Sequence, residues 1–254
     1  MKRLCGKLKN GLFVLFFFLC GCATLYNPAT GQKEYIFIST ESEVKMGQDI
    51  QKQLSAEFTF IESGRQFDRI QRIGRRLAAV SDRRDLPYHF YLIDKDELNA
   101  FTVPGGSIYI FSGLLNKLDG NDNAVAAVLA HEIGHCAARH TVKKFQAALG
   151  YSLVGSILLS QIDQAAVKDV AAMSTNAVMQ IVFSAYGRQD EYQADQLGVK
   201  YLDLAGFNVV GMVQTLDVLK KASGGSSTPA ILLTHPHPED RIAAVKKQIE
   251  SMQK

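Results

Sequence analysis

The chain has 254 residues, 47% of them hydrophobic, and 28 basic against 25 acidic side chains give it a formal net charge of +3. Four of the basic residues (Lys2, Arg3, Lys7, Lys9) fall within the first 21, which hold no acid, so residues 22–254 carry 24 basic and 25 acidic side chains, net −1. Nothing in that balance points to a nucleic-acid partner, and the 233 residues that remain suit one sizeable core rather than two domains.

In chain order, the basic start leads into the apolar run Leu12–Leu19 and then Cys20-Gly21-Cys22. This is the layout of a secretory signal. Eight strongly apolar residues are too few to span a bilayer stably, although an uncleaved signal anchor is the alternative. Leu19-Cys20-Gly21-Cys22 resembles the bacterial lipoprotein box, with Gly21 as the small residue and Cys22 as the lipid acceptor. Residues 1–21 are therefore expected to be a lipoprotein-type signal peptide, and residues 22–38 a lipidated N-terminus and tether.

Ala23–Gly31 is polar and turn-rich. Helices are predicted over Ser39–Leu54, capped by Ser39 or Thr40, and over Phe67–Val80, with Ile70, Ile73, Leu77 and Val80 on one face. Arg69, Arg72, Arg75 and Arg76 read as the solvated face of the second helix. Tyr88–Asp94 alternates and predicts a strand. Asn99–Val103 is a second extended piece, and Pro104-Gly105-Gly106 turns the chain into a third, Ser107–Phe111. A proline-free helix over Ala124–Arg139 follows the cap candidates Asn121, Asp122 and Asn123. Leu149–Leu159 is apolar for about eleven residues, too short to cross a membrane. Gln161–Val182, Ala185–Ala205 (stopped by Gly206) and Arg241–Gln253 read as helical, with a flexible Ser223–Ser227 loop between the last two. The expected class is α+β: mostly helical, with a small β-sheet beside the Ala124–Arg139 helix.

That helix carries His131-Glu132-Ile133-Gly134-His135. Residues four apart share a helical face, so both imidazoles can grip one metal ion, and Glu132 falls close enough to act as a base toward water there. Cys136 lies about 100° round the helix from His135 and is expected to be a small core residue.

A catalytic zinc takes three protein ligands and keeps one open position. His140 lies five residues beyond His135, one short of the spacing of a third histidine, with Ala138 where a helix-breaking glycine would stand. It is expected behind the ligands or at a helix end. Glu191 and Asp195 are four apart on one helical face, where two carboxylates repel unless a cation sits opposite. The expected division is Glu191 on the metal and Asp195 on the outer ring nitrogen of a ligating histidine. His235 and His237 lie in Thr234-His235-Pro236-His237-Pro238, a stiff segment that either covers a metal site or forms a surface turn.

NPATG after Tyr26, NAFTVPGGSIYIFSGLL, HEIGHCAARH, Glu191-Tyr192-Gln193-Ala194-Asp195 and HPHPEDR occur in that order from Asn27 to Arg241. Together they resemble the HtpX and CAAX-prenyl-protease superfamily of zinc metallopeptidases, most of all its LoiP/BepA-like Gram-negative lipoprotein branch. The chain's length matches the short form without C-terminal helical repeats. The resemblance implies a gluzincin with one Zn2+ per subunit on His131, His135 and Glu191, with Glu132 as base and Asp195 behind the ligands. It implies that His235 either restrains activity at the zinc or stabilises the oxyanion, and that Arg241 organises the site. Residues 39–254 would form a single zinc metallopeptidase domain of zincin type.

Substrate is expected to add along an edge strand, with Asn99, Ala100 and Phe101 the better candidate and Ser107–Phe111 the other. The implied activity is endoproteolysis of unfolded or misfolded envelope polypeptides. The lipid anchor would hold the protein on the periplasmic side of the outer membrane, near the outer-membrane assembly machinery. The rival expectation is a chaperone-like assembly factor with latent proteolysis.

Overall fold

The computed structural model describes residues 25–118, 120–150, 159–223 and 228–253. The signal segment, Cys22 and the centre of the apolar run Leu149–Leu159 lie outside them. Among the described residues no helix is long and apolar enough to cross a membrane.

The fold is mostly helical, with a small mixed sheet beside the helix that bears both motif histidines. The sheet is built from β3 (Phe60–Ile61), β4 (His89–Ile93), β5 (Ala100–Val103) and β6 (Ser107–Phe111), in the order β3-β4-β6-β5. β4 and β6 run parallel, and β5 returns antiparallel to β6 through the Pro104-Gly105-Gly106 turn. Gly105 and Gly106 both adopt positive φ (84° and 85°), which side chains other than glycine's resist. Alternation along the strands serves two cores. Phe90, Leu92, Ala100, Ile108 and Ile110 turn toward α2 (Arg65–Ala78) and α4 (Asp122–Ala137), in one core that continues into α9 (Val210–Ser223) and α11 (Pro238–Met252). Ile93, Phe101, Val103, Tyr109 and Phe111 face α1 (Thr40–Glu57), α5 (His140–Ala148), α6 (Leu159–Ala172) and α7 (Thr175–Val182). The remaining helices are α3 (Ser112–Lys117), α8 (Arg188–Leu204) and α10 (Ala230–Thr234).

Local chemistry sets the ends of the helices that matter. Ser39 caps α1 by accepting from the Ser42 amide, and Asn121 caps α4 by accepting from the Ala124 amide. α4 stops where Arg139 turns left-handed at φ 56°, so α5 leaves in a new direction and His140 becomes its first residue.

The helices α5 and α9 fall where the sequence reading assigned none, and three segments that it did assign fold otherwise. The tether expected over residues 22–38 is folded from Leu25: β1 (Leu25–Asn27) and β2 (Gln32–Glu34) form a hairpin. The buried Asn27 side chain accepts from the Ala29 amide and donates to Glu34, so the NPATG turn is fixed by its own hydrogen bonds. Lys143 and Gln146 of α5 then hold Glu34 and the Phe37 amide. Residues 161–182 are two helices, α6 and α7, because Ser174 starts a new one by capping the Ala177 amide. The arginines of α2 are not simply a solvated face. Arg69 and Arg72 bind Asp122 at the start of α4, and Arg76 donates to the Ala205 carbonyl.

Candidate metal centre

α4 and α8 cross in close contact at the motif. Gly134 makes this possible, since a β-carbon there would sit 2.7 Å from the Ala194 carbonyl oxygen. The crossing brings the first turn of α8 against the motif face of α4. His131 Nε2 and His135 Nε2 are 3.0 Å apart. Glu191 Oε1 is 3.3 Å from His135 Nε2, and Glu191 Oε2 is 3.6 Å from His131 Nε2. His235, directly after α10, places Nδ1 3.0 Å from Glu191 Oε1 and 3.2 Å from His131 Nε2. Donor atoms of these four residues lie within 4.8 Å of one another. The whole group is buried, with His131 the most exposed at 7%.

The outer ring nitrogens decide what the inner ones can do. Asp195 Oδ1 lies 2.8 Å from His131 Nδ1; a carboxylate only accepts, so Nδ1 carries the proton and Nε2 is left bare. For His135 the same result passes through a second imidazole. His140 Nε2 faces Gln193 Oε1 at 2.9 Å and Asp190 Oδ1 at 3.4 Å, both acceptors, so His140 donates there. Its Nδ1 must then accept from His135 Nδ1, 2.9 Å away, and His135 Nε2 is bare in turn. Two bare nitrogens 3.0 Å apart beside a buried carboxylate repel one another unless a cation lies between them. Two nitrogens and one carboxylate oxygen are the donor set of a catalytic zinc, so the residues present fit a single divalent ion.

Residues 64–249 match the family described as Peptidase family M48. The chain belongs to that family. The M48 match and the clustered donors together mark a zinc metalloendopeptidase domain. Among curated relatives, the beta-barrel assembly-enhancing protease of Escherichia coli is 32% identical over 233 residues, covering 89% of this chain and 47% of its own length. The mitochondrial metalloendopeptidase OMA1 of Schizosaccharomyces pombe is 28% identical, covering 90% of this chain and 67% of its own. Metalloprotease YcaL of Escherichia coli is 26% identical over 205 residues, 75% of this chain and 76% of its own. The chain thus spans about half the length of the beta-barrel assembly-enhancing proteases it matches.

Around the M48 cluster the charges are strongly perturbed. Burial acts to raise the Glu191 carboxyl, but Arg241 and His235 outweigh it and hold Glu191 well below the usual range. Asp195 is likewise held low against burial by Arg241, which contacts both its oxygens at 2.7 Å. Arg241 Nη1 also reaches Glu191 Oε2, so one guanidinium spans both carboxylates. Burial pushes Glu132 up. Burial opposes protonation of His235, yet Glu191 and Glu132 overcome it and raise the imidazole. Glu132 Oε1 is 3.5 Å from His235 Nε2. Among the described residues, Glu132 Oε2 and His235 Nε2 are buried atoms without a hydrogen-bond partner.

The structure leaves other sequence candidates outside the cluster. His237 is exposed at the cap of α11, so the Thr234–Arg241 segment covers the cluster with His235 and reaches it again with Arg241. Cys136 is buried with its Sγ 2.9 Å from Thr102 Oγ1, and burial pushes its thiol up to about 12. Asn99, Ala100 and Phe101 do lie at the sheet edge, but all three are buried. Phe183, just past α7, packs edge-on against Phe101 with centroids 5.1 Å apart. The other expected edge, Ser107–Phe111, is the interior strand β6, paired on both sides.

Tyr186 and Lys144 were not singled out from the sequence. Tyr186 stacks on His135 at 3.9 Å, and its amide donates to the Thr234 carbonyl beside His235. Lys144 lies 4.0 Å over the Tyr186 ring and donates to the Val182 and Ser184 carbonyls.

Proposed function

We propose that the chain is a zinc-dependent endopeptidase that cuts exposed or misfolded segments of cell-envelope proteins, in envelope quality control and outer-membrane protein homeostasis. The observation that carries this reading is the convergence of His131, His135 and Glu191 on one point, with Glu132 Oε1 3.5 Å from the neighbouring His235 Nε2. His131, His135 and Glu191 would hold the zinc, which would supply Lewis acidity toward water and the peptide carbonyl.

The chain's own groups do the rest. Glu132 takes a proton from the attacking water and returns it to the leaving amine; its unpartnered Oε2 is available for both transfers. Asp195 and His140 hold the tautomers of His131 and His135. Arg241 keeps Glu191 and Asp195 ionised and in place. Substrate lies extended along Asn99, Ala100 and Phe101 once the cover at Phe183 moves aside, and main-chain pairing makes selection loose in sequence.

The same reading makes residues 1–21 a signal peptide, Cys22 the lipid site and residues 39–254 the peptidase domain. Ala23, rather than an aspartate, follows Cys22 and supports an outer-membrane address facing the periplasm. The relatives named for beta-barrel assembly support a partner in that machinery.

The burial of the cluster favours a resting state that is latent, and with it the second reading of a chaperone-like assembly factor whose proteolysis is minor. His235 sits among the donors where a substrate oxygen would come, so it acts as a gate. Cleavage of an unfolded protein such as casein by the zinc-loaded chain tests both readings. Glu132→Gln is expected to lower the rate about 10²- to 10⁴-fold with zinc content unchanged, and His235→Ala to raise it. Equal cleavage by wild type and Glu132→Gln overturns the peptidase reading. A loss of rate with His235→Ala assigns His235 to the oxyanion instead.

A further inference from the structure

We infer that Tyr26, Lys33 and Tyr35, on the outer face of the β1–β2 hairpin, form a docking surface that seats the domain on a phospholipid bilayer in one orientation. The inference rests on the reading of Cys22 as the lipid site and adds the surface that meets the bilayer.

The hairpin has two unlike faces. Tyr26 and Lys33 are partners across it, and Tyr35 follows Lys33 by two, so the three share one side. All three are exposed, Tyr26 at 59% and Tyr35 at 60%. Asn27 and Glu34 lie on the other side and are occupied within the chain. Asn27 and Thr30 both donate to Glu34, and Lys143 of α5 holds it at 2.9 Å. Glu34 is the one acid between residues 25 and 35, so the outer face carries a lysine and no carboxylate.

The chain has 14 Phe, 9 Tyr and no Trp, and among the described residues every Phe and Tyr except Tyr26 and Tyr35 is buried or half-buried. The two exposed rings are thus gathered on one small face rather than scattered over the surface. Tyrosine has an apolar body and a hydroxyl tip, the combination that settles at the boundary of hydrocarbon and water. Lys33 adds a cation that anionic headgroups attract.

Chain length selects the occupant. Only Ala23 and Thr24 separate Cys22 from Leu25, the first residue of β1. At about 3.6 Å per residue at most, that stretch spans roughly 11 Å. The polar layer of one leaflet is itself about 5–8 Å thick. A lipid on Cys22 therefore holds the hairpin at the headgroups, whereas nothing brings a second copy of the chain to this face. The hairpin does not swivel by itself either. Besides the Lys143 contact, Gln146 of α5 accepts from the Phe37 amide at 3.0 Å and donates to the Tyr35 carbonyl at 2.9 Å. α5 begins at His140, behind His135, so the attitude of the hairpin to the bilayer sets that of the metal cluster.

The absence of tryptophan makes the test direct. Tyr26→Trp and Tyr35→Trp each give the full chain a single fluorophore. Leu204→Trp is the reference: Leu204 is exposed, and it lies about 16 Å along α8 from Gln193, which lines a cleft with Gln32 and Glu34 of the hairpin. Each chain, processed in a Gram-negative host, is reconstituted into vesicles of phosphatidylethanolamine and phosphatidylglycerol with or without brominated acyl chains. Emission from the two hairpin tryptophans is expected to shift to the blue and to be lost to bromine, while Leu204→Trp stays red and is quenched by acrylamide from the water. Hairpin tryptophans that acrylamide reaches and bromine spares overturn the surface. Equal loss to bromine at all three positions overturns the single orientation. Protection from acrylamide without loss to bromine, growing with the protein loaded per vesicle, assigns the face to a second copy and overturns lipid as its occupant. The mass of the N-terminal peptide separates this inference from the reading beneath it. Lipid on Cys22 with hairpin tryptophans in water keeps the lipid site and overturns the surface; an unmodified Cys22 with hairpin tryptophans lost to bromine overturns the lipid site and keeps the surface.

Discussion

Two buried charge clusters sit near α4, and only one of them is closed upon itself. Beneath the Gly105 turn, Glu43 accepts from the Gly105 amide and meets Arg83 at 3.1 Å and Arg139 at 3.6 Å, while Arg83 also binds Asp85. Apart from Arg83 Nη1, the donors there end on an acceptor of the chain. This cluster ties α1, the Arg83–Asp85 loop and the end of α4 together. In the other cluster, acceptors face acceptors: His131 Nε2, His135 Nε2 and Glu191 turn onto one point, and the proton-bearing nitrogens are occupied from behind. Burial of charge is common to both. What separates the two is where the acceptors point: Arg241 and His235 answer the charge of Glu191, yet the bare nitrogens of His131 and His135 still face one another across 3.0 Å.

The largest expected effect breaks the closed cluster. Arg83→Leu leaves Glu43 buried with only the more distant Arg139, and should cost about 3–5 kcal/mol of unfolding free energy. Zinc should still stabilise this variant as it does wild type, by about 2.7 kcal/mol at a free zinc concentration a hundred times its dissociation constant. Glu191→Ala should lose that zinc-dependent increment. Denaturant titrations with and without chelator measure both. A zinc increment missing from Arg83→Leu would show that the clusters are not independent.

The next effect tests the relay behind His135. With His140→Ala, His135 Nδ1 loses its acceptor and the ring is free to take the wrong tautomer or rotate. Zinc affinity should fall about 10- to 100-fold while global stability without metal changes less. Competition with a chelating indicator reads the affinity. An unchanged dissociation constant would reduce His140 to a packing residue.

The fold class and the shared face of the two motif histidines are legible in the residues because each depends on short periodicity, whereas Glu191 and Asp195 are reached from two carboxylates on one helical face that need a cation opposite, and from the family resemblance. Positions four apart share a helical face, and Asn121, Gly206 and the Pro104-Gly105-Gly106 turn mark their own boundaries. What stayed hidden depends on packing between distant segments. Val210–Ser223 carries Met212, Leu216 and Leu219 at helical spacing, but nothing local tells that this face meets the motif helix rather than another part of the core. Tyr186 is one aromatic residue among many until its ring lies on His135. The edge at Asn99, Ala100 and Phe101 reads as available, since alternation reveals a strand and says nothing of the α7 segment laid across it. The hairpin at Leu25–Glu34 was missed for a related reason. Asn and Thr in a turn signal a change of direction, whereas the contacts to Lys143 and Gln146 that make it rigid are more than a hundred residues away.

The smallest effect lies at the entrance to α4, where an exposed cluster contrasts with both buried ones. Asp122 is the first residue of α4, and hydrogen bonds from Arg72 and then Arg69 hold its carboxyl below the usual range. A depressed folded value means that the stabilisation is present above the unfolded pKa of about 3.9 and disappears as the pH falls through the lower folded value. The side chain is 45% exposed, so solvent screening keeps the contribution below about 1 kcal/mol even with the favourable helix N-terminus. Asp122→Asn should therefore be slightly less stable than wild type at pH 7, with the gap narrowing from about pH 4 downward as the wild-type carboxyl gains its proton. Added salt should narrow it at pH 7 as well. Urea titrations across that range decide the matter. A gap that is the same at pH 7 and pH 2 would mean that packing at the start of α4, rather than the charge on Asp122, anchors α2 to the helix that carries His131 and His135.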